Sequence, residues 1–317
     1  MLCNIKPYKF YLIACTIPKK IVILLRLLGT NQHNINHKNT TTMKKVFLFL
    51  ALAIPMMASA QLMEVTSAER VTASADAKVA AFSPNGDYLL LTNTSNQGLQ
   101  CFDLATKQVA TISKADGAGY NVQIAQDGQQ IVYREVTLDA NKSRVSNIVR
   151  HDLVAKKSQV MAKKQTNLTA MVVDATRPSF SVKDQQLMMT KNGKTIVFSP
   201  NGQQYSYHSA SLSPDGQKVA YYVAAVGCFV CNIDGSNVQF IAHNCYSPVW
   251  YNNQIIIASD SKDNGHFITE SAIVAYSLDG KKQVLTKGDH IAVFPKAAEG
   301  KIAYSTSEGE IYVMNVK

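Results

Sequence analysis

The first 60 of the 317 residues contain no acidic residue, while Lys6, Lys9, Lys19, Lys20, Arg26, Lys38, Lys44 and Lys45 supply eight of the 32 basic ones. Most of the formal charge of +10 therefore lies there, and the remainder holds 24 basic against 22 acidic residues. The basic balance is then poor grounds for expecting a nucleic-acid partner. The chain also lacks a phosphate-binding Gly-rich loop, a dinucleotide fingerprint and a Gly-x-Ser-x-Gly nucleophile elbow, and after residue 60 it has no His-x-x-x-His pair. No motif-borne nucleotide, hydrolase or zincin chemistry is expected from that pattern. No uninterrupted apolar run approaches the roughly 20 residues of a membrane-spanning helix. After residue 60 nothing reads as a long amphipathic helix. A hydrophobic content of 46% with 17% charged residues excludes wholesale disorder and a collagen-like chain.

What is present begins with a leader. Met43-Lys44-Lys45 precedes the apolar run Val46–Ile54, and Ala58-Ser59-Ala60 stands just before Gln61. A positive n-region, a short h-region and an A-x-A site are the parts of a cleavable signal peptide. Residues 43–60 are expected to be that peptide, without a lipid anchor, since no Cys follows the cleavage site. Residues 1–42 read as a non-native upstream extension, and 61–317 as one exported domain in the periplasm or outside the cell. Asn31–Thr42 is a low-complexity stretch with no core-forming pattern. Lys19, Lys20 and Arg26 make a spanning helix over Phe10–Leu28 costly.

Within 61–317 one unit recurs. Phe82-Ser83-Pro84-Asn85-Gly86 and Leu212-Ser213-Pro214-Asp215-Gly216 are the clearest copies, each followed by two polar residues and an apolar strand. Ile124–Ile131 has lost the Pro, Phe180–Leu187 is more decayed, Trp250–Ile255 is shortened, and Pro295–Ile302 is the last. Pro presets φ, Asp or Asn caps its own backbone and Gly takes the positive φ, so the unit is a tight turn between antiparallel strands. Its Asp is structural. Runs such as Tyr88–Thr92, Lys218–Val223 and Lys301–Ser305 read as the strands that follow.

Most copies carry a second hairpin, which makes four strands per unit. The spacing of about 43 residues is that of a propeller blade. Six copies predict an all-β, six-bladed propeller of four-stranded antiparallel blades. The last copy is one strand short, and Leu62–Val71 has no blade of its own. That segment is expected to supply the missing outer strand and close the ring.

The Phe-Ser-Pro-Asn/Asp-Gly unit resembles the WD40-like repeat of the TolB-type six-bladed propeller, over about residues 62–317. The resemblance implies an exported propeller that binds a protein or ligand. It departs from that family in leaving no room for the α/β domain that precedes the TolB propeller. It also lacks the hydrolase domain joined to peptidase propellers.

Cys228-x-x-Cys231 invites a redox or metal reading, but on a strand residues three apart point to opposite faces. No metal site is expected there. Cys228 and Cys245 form a candidate disulfide across a hairpin, and Cys101 and Cys231 are expected to be buried thiols. Neither a cofactor nor catalytic residues are expected.

In a propeller the loops between second and third strands share one face with the loops leading to the next blade. That face receives Val136–Ser146, within a basic stretch, and Ser259–Thr269. Recognition usually sits on such long loops. Tyr120, Arg177, His208, Tyr246 and His290 precede inner strands and are expected to ring the channel there. The expected function is non-enzymatic binding of an envelope protein or extracellular ligand by a monomer. The alternative is a carbohydrate- or peptide-processing enzyme at the channel mouth.

Overall fold

The computed structural model describes residues 61–71, 76–166 and 173–317. The expected upstream extension (1–42) and the expected signal peptide (43–60) lie outside the described residues. Among the described residues every regular element is a strand. β1 (Val65–Arg70) is followed by blade one: β2 (Ala77–Phe82), β3 (Tyr88–Asn93), β4 (Leu99–Asp103) and β5 (Val109–Ser113). Blade two is β6 (Gln123–Ile124), β7 (Gln130–Leu138), β8 (Arg144–Asp152) and β9 (Lys157–Gln165), and blade three is β10 (Ser179–Lys183), β11 (Gln186–Lys191) and β12 (Lys194–Val197). Blade four is β13 (Tyr207–Leu212), β14 (Lys218–Val223), β15 (Gly227–Asn232) and β16 (Gln239–Ala242). Blade five is β17 (Tyr246–Trp250), β18 (Ile255–Asp263), β19 (Ile268–Ser277) and β20 (Lys282–Val284), and β21 (Ala292–Ala298), β22 (Lys301–Thr306) and β23 (Ile311–Val316) follow. In blades one to five every pairing is antiparallel and joins consecutive strands.

The repeat does what its chemistry dictates. The Ser83 hydroxyl accepts the N–H groups of Asp87 (2.9 Å) and Tyr88 (3.0 Å), and Gly86 N–H bonds back to the Ser83 carbonyl (2.9 Å). Ser213 repeats this with Lys218 and Gly216, each at 2.9 Å. Both serines are fully buried, and Gly86 and Gly216 both sit at φ 73°, where a Cβ would be strained. The serine is conditioned by burial: its oxygen satisfies amides that water cannot reach.

Ring closure follows the expected strand exchange. β1 pairs antiparallel with β23, from Val65 opposite Val316 to Arg70 opposite Tyr312, giving a four-stranded sheet β1-β23-β22-β21. Packing seals it. Leu89, Leu91 and Phe102 of blade one share a core with Ala303, Ile311 and Val313 of blade six.

Blade three departs from the expected pattern. It has three strands among the described residues, and β10 runs against its neighbour. Arg177, at the entry of β10, donates to the carbonyls of Ser213 (3.1 Å) and Pro214 (3.2 Å), in the turn that follows β13. Gln185, just past the end of β10, accepts from the N–H of Tyr207, the first residue of β13 (2.8 Å). The start of each strand thus lies beside the end of the other. The turn at Asp184-Gln185 therefore sits on the face opposite the Ser-Pro-Asp-Gly turns, not among them.

Candidate functional site

Two vestibules meet along the propeller channel. The upper, of about 340 Å³, is lined by Lys78, Asn96, Tyr120, Asn121, His208, Phe294 and Lys296, among others. The lower, of about 400 Å³, is lined by Pro84, Asp174, Arg177, Leu212 and the same Lys296. Ala80, Asn121, Val122, Phe180, Ala210 and Lys296 line both and mark the junction.

A bulge in the inner strands aims side chains at this space. Pairing shifts register between Val79 and Ala81, Tyr207 and Ser209, Tyr246 and Val249, and Val293 and Lys296. Ser247 and Phe294 take positive φ (52° and 53°) within these bulges, and Asn121 (55°) does so just before β6. An extra residue locally turns the strand and presents a side chain that regular alternation would hide. Phe294, half exposed, is the clearest product: an aromatic ring held at a channel wall in a conformation that costs about 1–3 kcal/mol.

The five residues expected to ring the channel are dispersed. Tyr120 and His208 do line the upper vestibule, and the Arg134 guanidinium lies 4.4 Å from the Tyr120 ring centre. Tyr246 lies one step outward, 4.8 Å from the Tyr222 ring, in a cavity of about 430 Å³ that shares His208, Ser209 and Phe294 with the vestibule. His290 is elsewhere. It stacks on Tyr304 and Tyr312, meets the Tyr304 hydroxyl at 3.0 Å and pairs with Asp289 at 2.8 Å. Arg177 lies on the turn face, because reversal of β10 carries the residue before it to the opposite end.

Sequence reasoning missed Lys78, Lys296 and Phe294. All three stand on inner strands, Lys78 and Phe294 in stretches given no site role and Lys296 within the last copy of the turn unit, Pro295–Ile302. The signal was a lysine interrupting an apolar strand in each of Ala77–Phe82 and Ala292–Ala298. Burial is the main cause lowering the Lys296 pKa, and the Lys78 charge adds to it. Burial also lowers Lys78, against the opposing pull of Asp76.

The two long loops are hairpins. β7 and β8 stay paired out to Leu138 opposite Arg144, and β18 and β19 out to Asp263 opposite Ile268. Their β-branched residues extend the strands past the blade, and only the tips turn. Asp139 closes one tip by accepting from the amides of Asn141 and Ser143, and Asn264 closes the other through His266 and Phe267. The tips expose apolar side chains: Leu138 is 64% and Phe267 75% exposed.

The cysteine pattern resolves by face. Cys228 and Cys245 are buried thiols in one core cluster with Ala258 and Val274. Burial and the neighbouring Cys245 push the Cys228 thiol well up. Cys231 belongs to a different cluster with Tyr207 and Tyr221. Cys101 is a half-buried thiol. Among the described residues no group of three or more His, Cys, Asp or Glu is placed to hold a metal ion. No described helix is long and apolar enough to cross a membrane.

No protein-family model matches the chain, and no curated protein matches it significantly. Solved structures do. The putative TolB from Agrobacterium tumefaciens aligns over 75% of this chain and 90% of its own, at 15% identity and a TM-score of 0.52. TolB from Acinetobacter baumannii aligns over 66% of this chain at 15% identity and a TM-score of 0.48, and the match spans about half (54%) of its length. An oligogalacturonate lyase from Vibrio parahaemolyticus aligns over 74% of this chain and 76% of its own, at 11% identity and a TM-score of 0.43. At such identities the likeness is one of fold, and the chain shares the six-bladed propeller fold of the Agrobacterium structure.

Proposed function

We propose that this propeller is an exported binding module that docks an envelope protein or extracellular ligand on the face bearing the long hairpins. The observation that carries the reading is the pair of paired-strand hairpins that end in exposed Leu138 and Phe267. Exposed large apolar side chains on rigid supports are what a partner surface buries, and aromatic residues lead among interface hot spots. Tyr246 and His208 lie inward of these tips and extend the same surface. The leader motif at 43–60 supports export to the periplasm or cell surface, and the TolB-type fold supports a protein-binding role.

The test is affinity capture from the periplasm of the source organism, comparing the wild type with a Leu138→Ser/Phe267→Ser double variant. A partner enriched by the wild type and lost with the variant supports the reading. Capture that survives those changes but fails with Asn85→Ala, on the turn face, would reverse it. N-terminal sequencing of the exported protein is expected to begin at Gln61. Peptides from residues 1–42 would contradict the assignment of the leader.

A further inference from the structure

Lys296 stands on β21 at the junction of the two vestibules and lines both. It is half-buried, and no hydrogen bond or ion pair to it is found among the described residues. Lys78, on the neighbouring inner strand β2, lines the same upper vestibule and donates to the Thr94 carbonyl (3.2 Å). Its one attractive charge is Asp76, which lines a different cavity and accepts from the Thr94 hydroxyl. The described lining of the upper vestibule contains no Asp or Glu; its other polar side chains are Asn96, Tyr120, Asn121, Ser181, His208 and Ser209. Two ammonium groups brought to one cavity without a counter-charge destabilise the fold unless something anionic joins them.

A second observation lies next door. The cavity that shares His208, Ser209 and Phe294 with the vestibule has apolar walls from Tyr222, Tyr246, Val293 and Ile268, with one exposed carboxylate, Asp263, also on its lining. Ser259 lines it, is 2% exposed, and its hydroxyl has no hydrogen-bond partner. A buried hydroxyl left unpaired is rare and calls for a reason. The bulge at Phe294 keeps its ring at the boundary between the charged and aromatic compartments.

We propose that the upper vestibule and this aromatic annex form one site for an organic anion. Its acid group, a carboxylate or a phosphate, sits with Lys296 and Lys78. Its apolar or ring-shaped body lies against Phe294, Tyr222 and Tyr246, and a polar substituent reaches the Ser259 hydroxyl. Ammonium groups act as point charges with rotatable donors, so either acid group satisfies them. The site goes beyond the docking reading and does not depend on it, because it requires no partner on the hairpin tips.

Calorimetric titration of the purified protein at low salt tests this with four probes: phenylacetate, phenyl phosphate, acetate and inorganic phosphate. One aromatic acid is expected to bind saturably at one site, with its ring-free counterpart at least tenfold weaker. The tighter of the two aromatic acids identifies the acid group. Lys296→Met is expected to lower that affinity tenfold or more, Lys78→Met severalfold and Ser259→Ala a few-fold, and added salt to weaken binding. The bound probe is also expected to shield Lys296 from reductive methylation in the wild-type protein, a readout that needs no variant to fold. Absence of saturable binding by both aromatic acids, or binding that leaves Lys296 as reactive as before, would overturn the site. The Leu138→Ser/Phe267→Ser variant should titrate like the wild type, which separates failure here from failure of the docking surface.

Discussion

Gln283 clamps the backbone at Met63. Its Oε1 accepts from the N–H groups of Leu62 (2.7 Å) and Met63 (3.1 Å), and its Nε2 donates to the Met63 carbonyl (2.7 Å). The Met63 side chain is buried among Ile257 and Ile273 of blade five and Ile302 and Met314 of blade six. Residues some 220 apart in sequence thus close the ring at a point where β1 begins.

Gln283→Ala leaves that backbone without its partner in a part-buried site and is expected to cost about 1–3 kcal/mol, read as a lower thermal midpoint. Removing residues 61–71 takes away β1 as well and bares the edge of β23. Size-exclusion chromatography is expected to show aggregates, as free edges pair between chains. A truncated protein that stays monomeric and melts with the wild type would refute closure by strand exchange.

The turn serines are expected to matter more than the turn acids. Ser213→Ala orphans the buried Lys218 amide, and a loss of about 1–3 kcal/mol is expected by denaturant unfolding. Asp215 is exposed, and its carboxyl is held below its ordinary range chiefly by the Ser213 hydroxyl. A depressed carboxylate stabilises above its unfolded pKa near ~4 and loses that contribution as pH falls through the folded value. Stability of the wild type is therefore expected to fall more steeply below pH ~4 than that of Asp215→Asn.

Lys296 has the opposite sign. Its folded pKa lies below the ordinary lysine value, so the charged form opposes folding at neutral pH. The penalty disappears as pH rises through the folded pKa toward the unfolded one. Lys296→Met is expected to melt higher than the wild type at pH 7, with a gap that narrows toward pH 10. A gap that widens with pH would remove the argument for a desolvated ammonium.

Cys228 and Cys245 share one buried cluster, and a disulfide between them is expected in an oxidising compartment. Alkylation of the unfolded protein, purified without reductant, is expected to leave both residues unmodified and Cys231 modified. The bridge would close a short loop worth about 3 kcal/mol in chain entropy, so reduction should lower the melting point. Full alkylation of both would show that the pair stays reduced.

Arg177→Ala is expected to loosen the contact between blades three and four and leave partner affinity intact, since its guanidinium binds turn carbonyls. Tyr246→Ala, in the wall of the aromatic annex, is expected to do the reverse. Melting curves and captured-partner affinity for the two variants check the assignment of faces.

Turn chemistry and period made the propeller legible in the sequence. Ser-Pro-Asn/Asp-Gly is a local instruction, readable because φ preferences and side-chain caps act within five residues, and its spacing counted the blades. The unpaired segment before the first copy announced the exchange between β1 and β23, because a strand count is a sum along the chain. The cysteines were legible by strand alternation: Cys228 and Cys231 do fall in different cores. Tertiary structure alone decided which end of the channel a residue reaches. Blade three carries its Phe198-Ser199-Pro200-Asn201-Gly202 after β12 rather than between β10 and β11, where Asp184-Gln185 offers neither Pro nor Gly, so no turn motif fixed the direction of β10, and Arg177 changed faces with it. The bulges that present Phe294 and His208 arise from pairing with neighbouring strands, and the meeting of Lys78 with Lys296 requires blades one and six to be adjacent. A lysine on an apolar strand looks like a solvated exception until closure of the ring places it in the channel.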